Sequence, residues 1–129
     1  MIPHIISLFT LLGTWQYVGF HYQDHFYPNP NPELVVRFTF KEDQISHLIW
    51  YRKNEPGFCE RTAAFSLEND LLLQKIIWVN PENEGHCAQD PDMQLGREST
   101  TQVRLSEGEL GFVLDINGSE LVYLLRRSR

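Results

Sequence analysis

The sequence predicts an all-β chain, an eight-stranded antiparallel up-and-down barrel with a short apolar plug segment before it. Three observations carry this. Apolar and polar residues alternate with period two through eight separate runs. The connections between runs are polar and rich in Gly, Pro, Asn and Asp, and several are short enough for hairpins. No long stretch keeps the 3.6-residue period of an amphipathic helix, although the N-terminal segment has room for a short one.

The clearest run is Leu34–Phe40. Leu34, Val36, Phe38 and Phe40 share one face, and Arg37 and Thr39 share the other, as in a half-buried strand. The remaining runs are residues 14–22, 44–52, 58–67, 71–79, 99–105, 110–115 and 120–127, all well supplied with β-branched and aromatic side chains. Residues 41–43, 68–70 and 106–109 read as tight polar turns. Residues 116–119 contain Asn117-Gly118, the strongest short hairpin signal. The longer connections are 23–33, with three prolines, 53–57, and the 19-residue stretch 80–98. In a meander the two longest fall at one end and the three tight charged turns at the other. A closed barrel of this size is wide enough for one small ligand, while a sandwich would show the same alternation.

Composition narrows the class. The 129 residues are 42% hydrophobic, enough for a single folded domain spanning 1–129 and too apolar for a disordered chain. Seventeen acidic against eleven basic residues give a formal charge of −6. With no basic stripe, a nucleic-acid partner is not expected. No apolar run approaches the roughly 20 residues of a membrane-spanning helix. The first twelve residues, Met1 to Leu12, have the apolar content of a secretion signal but lack its basic start and small-residue cleavage site. A structural plug is preferred over an uncleaved signal.

Cys59 and Cys87 are the two cysteines, and their spacing excludes CxxC chemistry. Two buried thiols are one reading. The meander offers another, because Cys59 opens its run at the loop-rich end and Cys87 lies in the longest loop at that end. A disulfide there would tie the loop to the rim and imply an oxidising compartment, periplasmic or extracellular.

Gly13-Thr14-Trp15 opens the first run after a short apolar segment. This resembles the Gly-x-Trp that begins the first strand of lipocalins and other calycins. In that superfamily a late basic residue packs across the tryptophan and closes the barrel. The last run ends in Arg126-Arg127, so the resemblance implies that one of them meets Trp15, with a guanidinium stacked on an indole. Gly13, Trp15, Arg126 and Arg127 are thus expected to be structural. The likeness covers the whole chain in layout and few residues in motif, and is nearest to a small bacterial lipocalin-like domain. It departs from larger lipocalins in having no helix after the last run, and from fatty-acid-binding proteins in having no helix pair after the first.

No nucleophile elbow, phosphate loop or activated cysteine is present, so no enzyme and no cofactor are expected. His21, His25 and His86 fall at the loop-rich end, near Asp24. Exposed rim histidines are a better reading of them than zinc or copper ligands, because His-x3-His aligns only on a helix. Aromatic residues are the main resource. The expected lining of a cavity is Tyr17, Leu34, Val36, Phe38, Phe40, Trp50, Trp78 and Phe112, holding a small apolar or amphipathic molecule in a monomeric, non-enzymatic binding protein. The resemblance also allows a secreted protein-binding module, such as a hydrolase inhibitor. That module would have a filled barrel and act through its loops, with Glu82, Glu84, Asp90, Asp92 and Glu98 facing a basic partner.

Overall fold

The computed structural model describes residues 7–128. A one-turn helix, α1 (Leu8–Leu11), leads into nine antiparallel strands. They are β1 (Gly13–Tyr22), β2 (His25–Pro28), β3 (Leu34–Phe40), β4 (Ile45–Arg52), β5 (Cys59–Glu68), β6 (Leu71–Val79), β7 (Glu98–Ser106), β8 (Glu109–Ile116) and β9 (Ser119–Arg127). All except β2 follow one another in chain order around the sheet, and the ring closes where β9 pairs with β1. These eight ring strands are the eight predicted runs.

β2 is the addition. It lies inside residues 23–33, read from the sequence as loop, and pairs back on the outer half of β1 with Tyr22 opposite His25 and Gly19 opposite Pro28. All four β2 residues are exposed, so no alternation marks it. Its turn is Gln23-Asp24, both at positive φ (49° and 65°), the conformation of a two-residue hairpin without the usual Asn-Gly signature. Gly19 makes room for it: a Cβ there would collide with the Tyr27 carbonyl. The predicted Asn117-Gly118 turn has both residues at positive φ as expected (51° and 84°).

The core sits at the α1 end. Leu11, Trp15, Phe40, Phe65, Leu72, Val103, Leu110 and Leu125 form one buried cluster, so α1 plugs the ring with Leu11. The rest of the predicted plug, residues 1–6, lies outside the described residues. A helix this short leaves its last carbonyls without partners, and two side chains supply them. Trp15 Nε1 donates to the Leu11 carbonyl (2.8 Å). The Arg127 guanidinium donates to the carbonyls of Leu12 (2.7 Å) and Thr10 (2.5 Å) while lying 4.3 Å from the centre of the Trp15 ring. The register sets this, since Trp15 is directly opposite Arg127. Of the two arginines only Arg127 closes the barrel; Arg126 turns outward to Glu109 (3.0 Å). Gly13 sits at φ +120°, a conformation side chains rarely adopt, and a Cβ there would also stand 2.7 Å from Arg127 Nη1.

Candidate functional site: an open-ended cavity with a buried arginine

Above this floor the ring is hollow, with a cavity of about 600 Å³. Its walls are the inward positions of the alternation. β3 contributes Val36 and Phe38, β4 contributes Leu48 and Trp50, and β8 contributes Phe112. Val36 and Phe38 are only half-buried because this face looks into an open space. The rings meet edge to face, Phe38 against Phe112 (centroids 5.1 Å) and Tyr17 against Tyr123 (5.6 Å), the geometry favoured by aromatic quadrupoles. Burial and then the neighbouring Tyr123 push the Tyr17 phenol above its ordinary range, so it stays a neutral hydroxyl.

Six of the eight residues expected to line a cavity do so: Tyr17, Leu34, Val36, Phe38, Trp50 and Phe112. Phe40 does not. It is the last inward residue before the tight turn to β4, it is 1% exposed, and its ring packs on Phe65 (5.2 Å) as part of the floor. Trp78 does not either, and a β-bulge is the reason. β6 runs inward at Leu72, Gln74 and Ile76, which would bring Trp78 inward opposite Arg61. Ile77 is instead an extra residue: Ile76 pairs with Ala63, but Trp78 pairs with Thr62. One added residue reverses the parity of the strand. Trp78 therefore points out and is 43% exposed.

Sequence reasoning missed the polar patch in the wall. Ser46, Arg61 and Gln74 project from β4, β5 and β6. Arg61 is 2% exposed. Its Nη1 donates to Ser46 Oγ (3.2 Å) and Gln74 Oε1 (3.4 Å), and Ser46 Oγ donates to Gln74 Oε1 (2.7 Å). Its Nε is buried with no hydrogen-bond partner, and the guanidinium lies 5.6 Å from the centre of the Phe38 ring. Burial lowers its pKa to about 10 against the opposing pull of Asp92, so it is a cation at neutral pH. The signal was available: β5 reads Cys59, Arg61, Ala63, Phe65 on its inward face, and a cation in that series is out of place.

The long connection between β6 and β7 folds over the mouth in two 3-10 turns, Gly85–Gln89 and Pro91–Met93. Cys87 and Met93 are buried with Leu48 and Cys59. The Cys59–Cys87 disulfide, with Cα atoms 5.6 Å apart, ties this loop to the rim. Asn83 reinforces it by mimicking a strand. Its Oδ1 accepts from the Glu60 amide (2.8 Å) and its Nδ2 donates to the Glu60 carbonyl (3.0 Å). Asp92 and Arg97 line the mouth 3.8 Å apart. Asp92 remains more than half exposed, but partial removal from water and the adjacent Asp90 push its carboxyl up, opposed by Arg61 and Arg97. A second depression of about 520 Å³ adjoins the mouth and shares Leu34, Trp50 and Asp92 with the cavity.

The histidines are not brought together. His21 and His25 sit on the β1–β2 hairpin, with the His21 ring 5.1 Å from that of Phe26. His86 is on the mouth loop, with Nε2 4.0 Å from Cys59 Sγ. Among the described residues the one group with metal-ligating spacing is Cys59, His86 and Cys87, and both its sulfurs are committed to the disulfide. Also among the described residues, no helix is long and apolar enough to cross a membrane.

The chain matches no protein-family model and no curated protein. Solved structures do resemble it. One is a lipocalin-like protein from Bacteroides uniformis, with a TM-score of 0.59 at 21% identity, covering 92% of this chain and 99% of that one. Another is an uncharacterized protein from Bacteroides eggerthii, with a TM-score of 0.53 at 16% identity over the same shares. At these identities the likeness speaks for the fold alone, and the fold is lipocalin-like.

Proposed function

We propose that this chain is a non-enzymatic binding protein that holds one small apolar or amphipathic molecule in its barrel. The observation that carries the reading is the division of the ring into a sealed floor and a hollow, aromatic-walled upper half of about 600 Å³, within the range of small-molecule sites. Tyr17, Leu34, Val36, Phe38, Trp50 and Phe112 are the proposed contacts. The loop over the mouth, pinned by Cys59–Cys87, limits entry. The disulfide also supports a location outside the cytoplasm, in a periplasm or a secreted fraction. A titration with the neutral, environment-sensitive dye N-phenylnaphthylamine tests the reading. It predicts saturable fluorescence enhancement at one dye per chain, reversed by a competing amphiphile. Absence of a saturable site would turn attention to the outward acidic residues of the mouth loop and a protein partner.

A further inference from the structure

We infer that the molecule held in the barrel is an acid, an amphiphile whose carboxylate is received by Arg61. The inference rests on the cavity reading above and adds the chemistry of the ligand. Arg61 lines the cavity and is 2% exposed. A guanidinium has five N–H donors and no acceptor. Among the described residues its hydrogen bonds run from Nη1 alone, both to neutral oxygens, and Nε has none. None of the ion pairs among the described residues includes it. The other two charged residues lining the cavity, Asp92 and Arg97, stand 3.8 Å from each other. Asp92 reaches Arg61 only through longer-range attraction. The barrel of a chain with net charge −6 therefore encloses an excess positive charge.

A buried cation without an anion is costly, and even a buried ion pair can often be replaced by apolar side chains of similar volume with a neutral or stabilising effect. Fold stability alone therefore gives little reason for an arginine here. A ligand carboxylate gives one, because a guanidinium fork matches its two oxygens and the low-dielectric wall strengthens the pair. Phe38, Phe112 and Val36 then receive the apolar remainder of the molecule.

The test is displacement of bound N-phenylnaphthylamine by dodecanoate and by dodecanol, which share a chain and differ in the head. At pH 8 the wild type should prefer dodecanoate by about tenfold or more, the scale of one hydrogen bond to a charged group. Arg61→Met should abolish this preference, still bind dodecanol, and unfold at the same or a higher urea concentration. Arg126→Met, at an exposed arginine paired outward with Glu109, should keep the preference. Equal displacement by the two probes in the wild type overturns the inference while leaving the cavity reading in place. So does a preference that survives in Arg61→Met or vanishes in Arg126→Met. If the dye itself never binds saturably, the cavity reading falls first. Should Arg61→Met not fold, Arg61→Gln, which keeps a neutral donor for Ser46 and Gln74, should abolish the preference in its place, and a preference that survives there overturns the inference.

Discussion

Reducing the Cys59–Cys87 bridge should cost about 3.5 kcal/mol of stability. The two residues are 28 apart in sequence, and the chain-entropy estimate for a loop of that length gives about this value at 25 °C. With an unfolding entropy of about 2.1 cal/mol/K per residue, the 129-residue chain should lose about 13 °C in Tm. Both cysteines are buried, at 1% and 2% exposure, and pack with Leu48 and Met93. Serine at either position would bury a hydroxyl and add a cost unrelated to the bridge. Comparing oxidised with reduced wild type avoids this, and a double Cys→Ala variant provides a second measure. The assay is urea unfolding followed by tryptophan fluorescence. The midpoint should fall, and the mouth loop should become the first site of limited proteolysis. A loss below about 1 kcal/mol would mean that Asn83 and Met93 hold the loop unaided and that the bridge does not control the mouth.

Further expectations follow from the same geometry. Arg127→Ala should cost about 1–2 kcal/mol in denaturant unfolding, since it leaves the Thr10 and Leu12 carbonyls and one indole face without their partner. Arg126→Ala, which breaks one exposed pair with Glu109, should cost about 0.5 kcal/mol or less. Val36→Asp should abolish dye binding or folding, because Val36 lines the cavity. Thr39→Asp should be tolerated, because Thr39 lies on the opposite face of β3 and its hydroxyl meets Thr14 Oγ1 at 3.0 Å. Burial raises the Glu60 carboxyl, but hydrogen bonds from Asn80 (2.7 Å) and His47 (2.6 Å) and the His47 charge outweigh it, so its pKa lies below the ordinary value. A carboxyl depressed on folding stabilises the fold above its unfolded pKa of about 4.3, and the contribution is lost as pH falls through the lower folded value. Unfolding midpoints measured across that acid range should drop more steeply for wild type than for Glu60→Gln.

The parts of the fold legible in the sequence are those where one strong local signal acts without interference. Leu34–Phe40 alternates cleanly, so its inward face was readable, and four cavity or floor residues came from it. Asn117-Gly118 marked its turn. The cysteines became a pair once the meander placed both at the loop-rich end. Signals failed where a long-range register overruled local pattern. Trp78 continues the inward series of β6 on paper, and only its pairing with β5 reveals that Ile77 is extra. Val35 is 4% exposed although it lies on the outward face of β3, so even the cleanest run is covered on both sides there. β2 consists of four exposed residues whose pairing depends on Gly19 being a glycine. Arg61 was visible as a cation on an apolar face, but its meaning depends on Ser46, Gln74 and the empty space beyond them, which belong to other strands.

The upper half of this barrel is proposed to hold a small molecule, and native mass spectrometry can show the complex itself, on protein incubated with a lipid extract of its own host and then compared with the same sample denatured. One additional small acidic molecule per chain is expected in the native spectrum, lost on denaturation and absent from Val36→Asp. A barrel that emerges as the bare chain from the whole extract, for wild type and variant alike, would overturn the binding proposal.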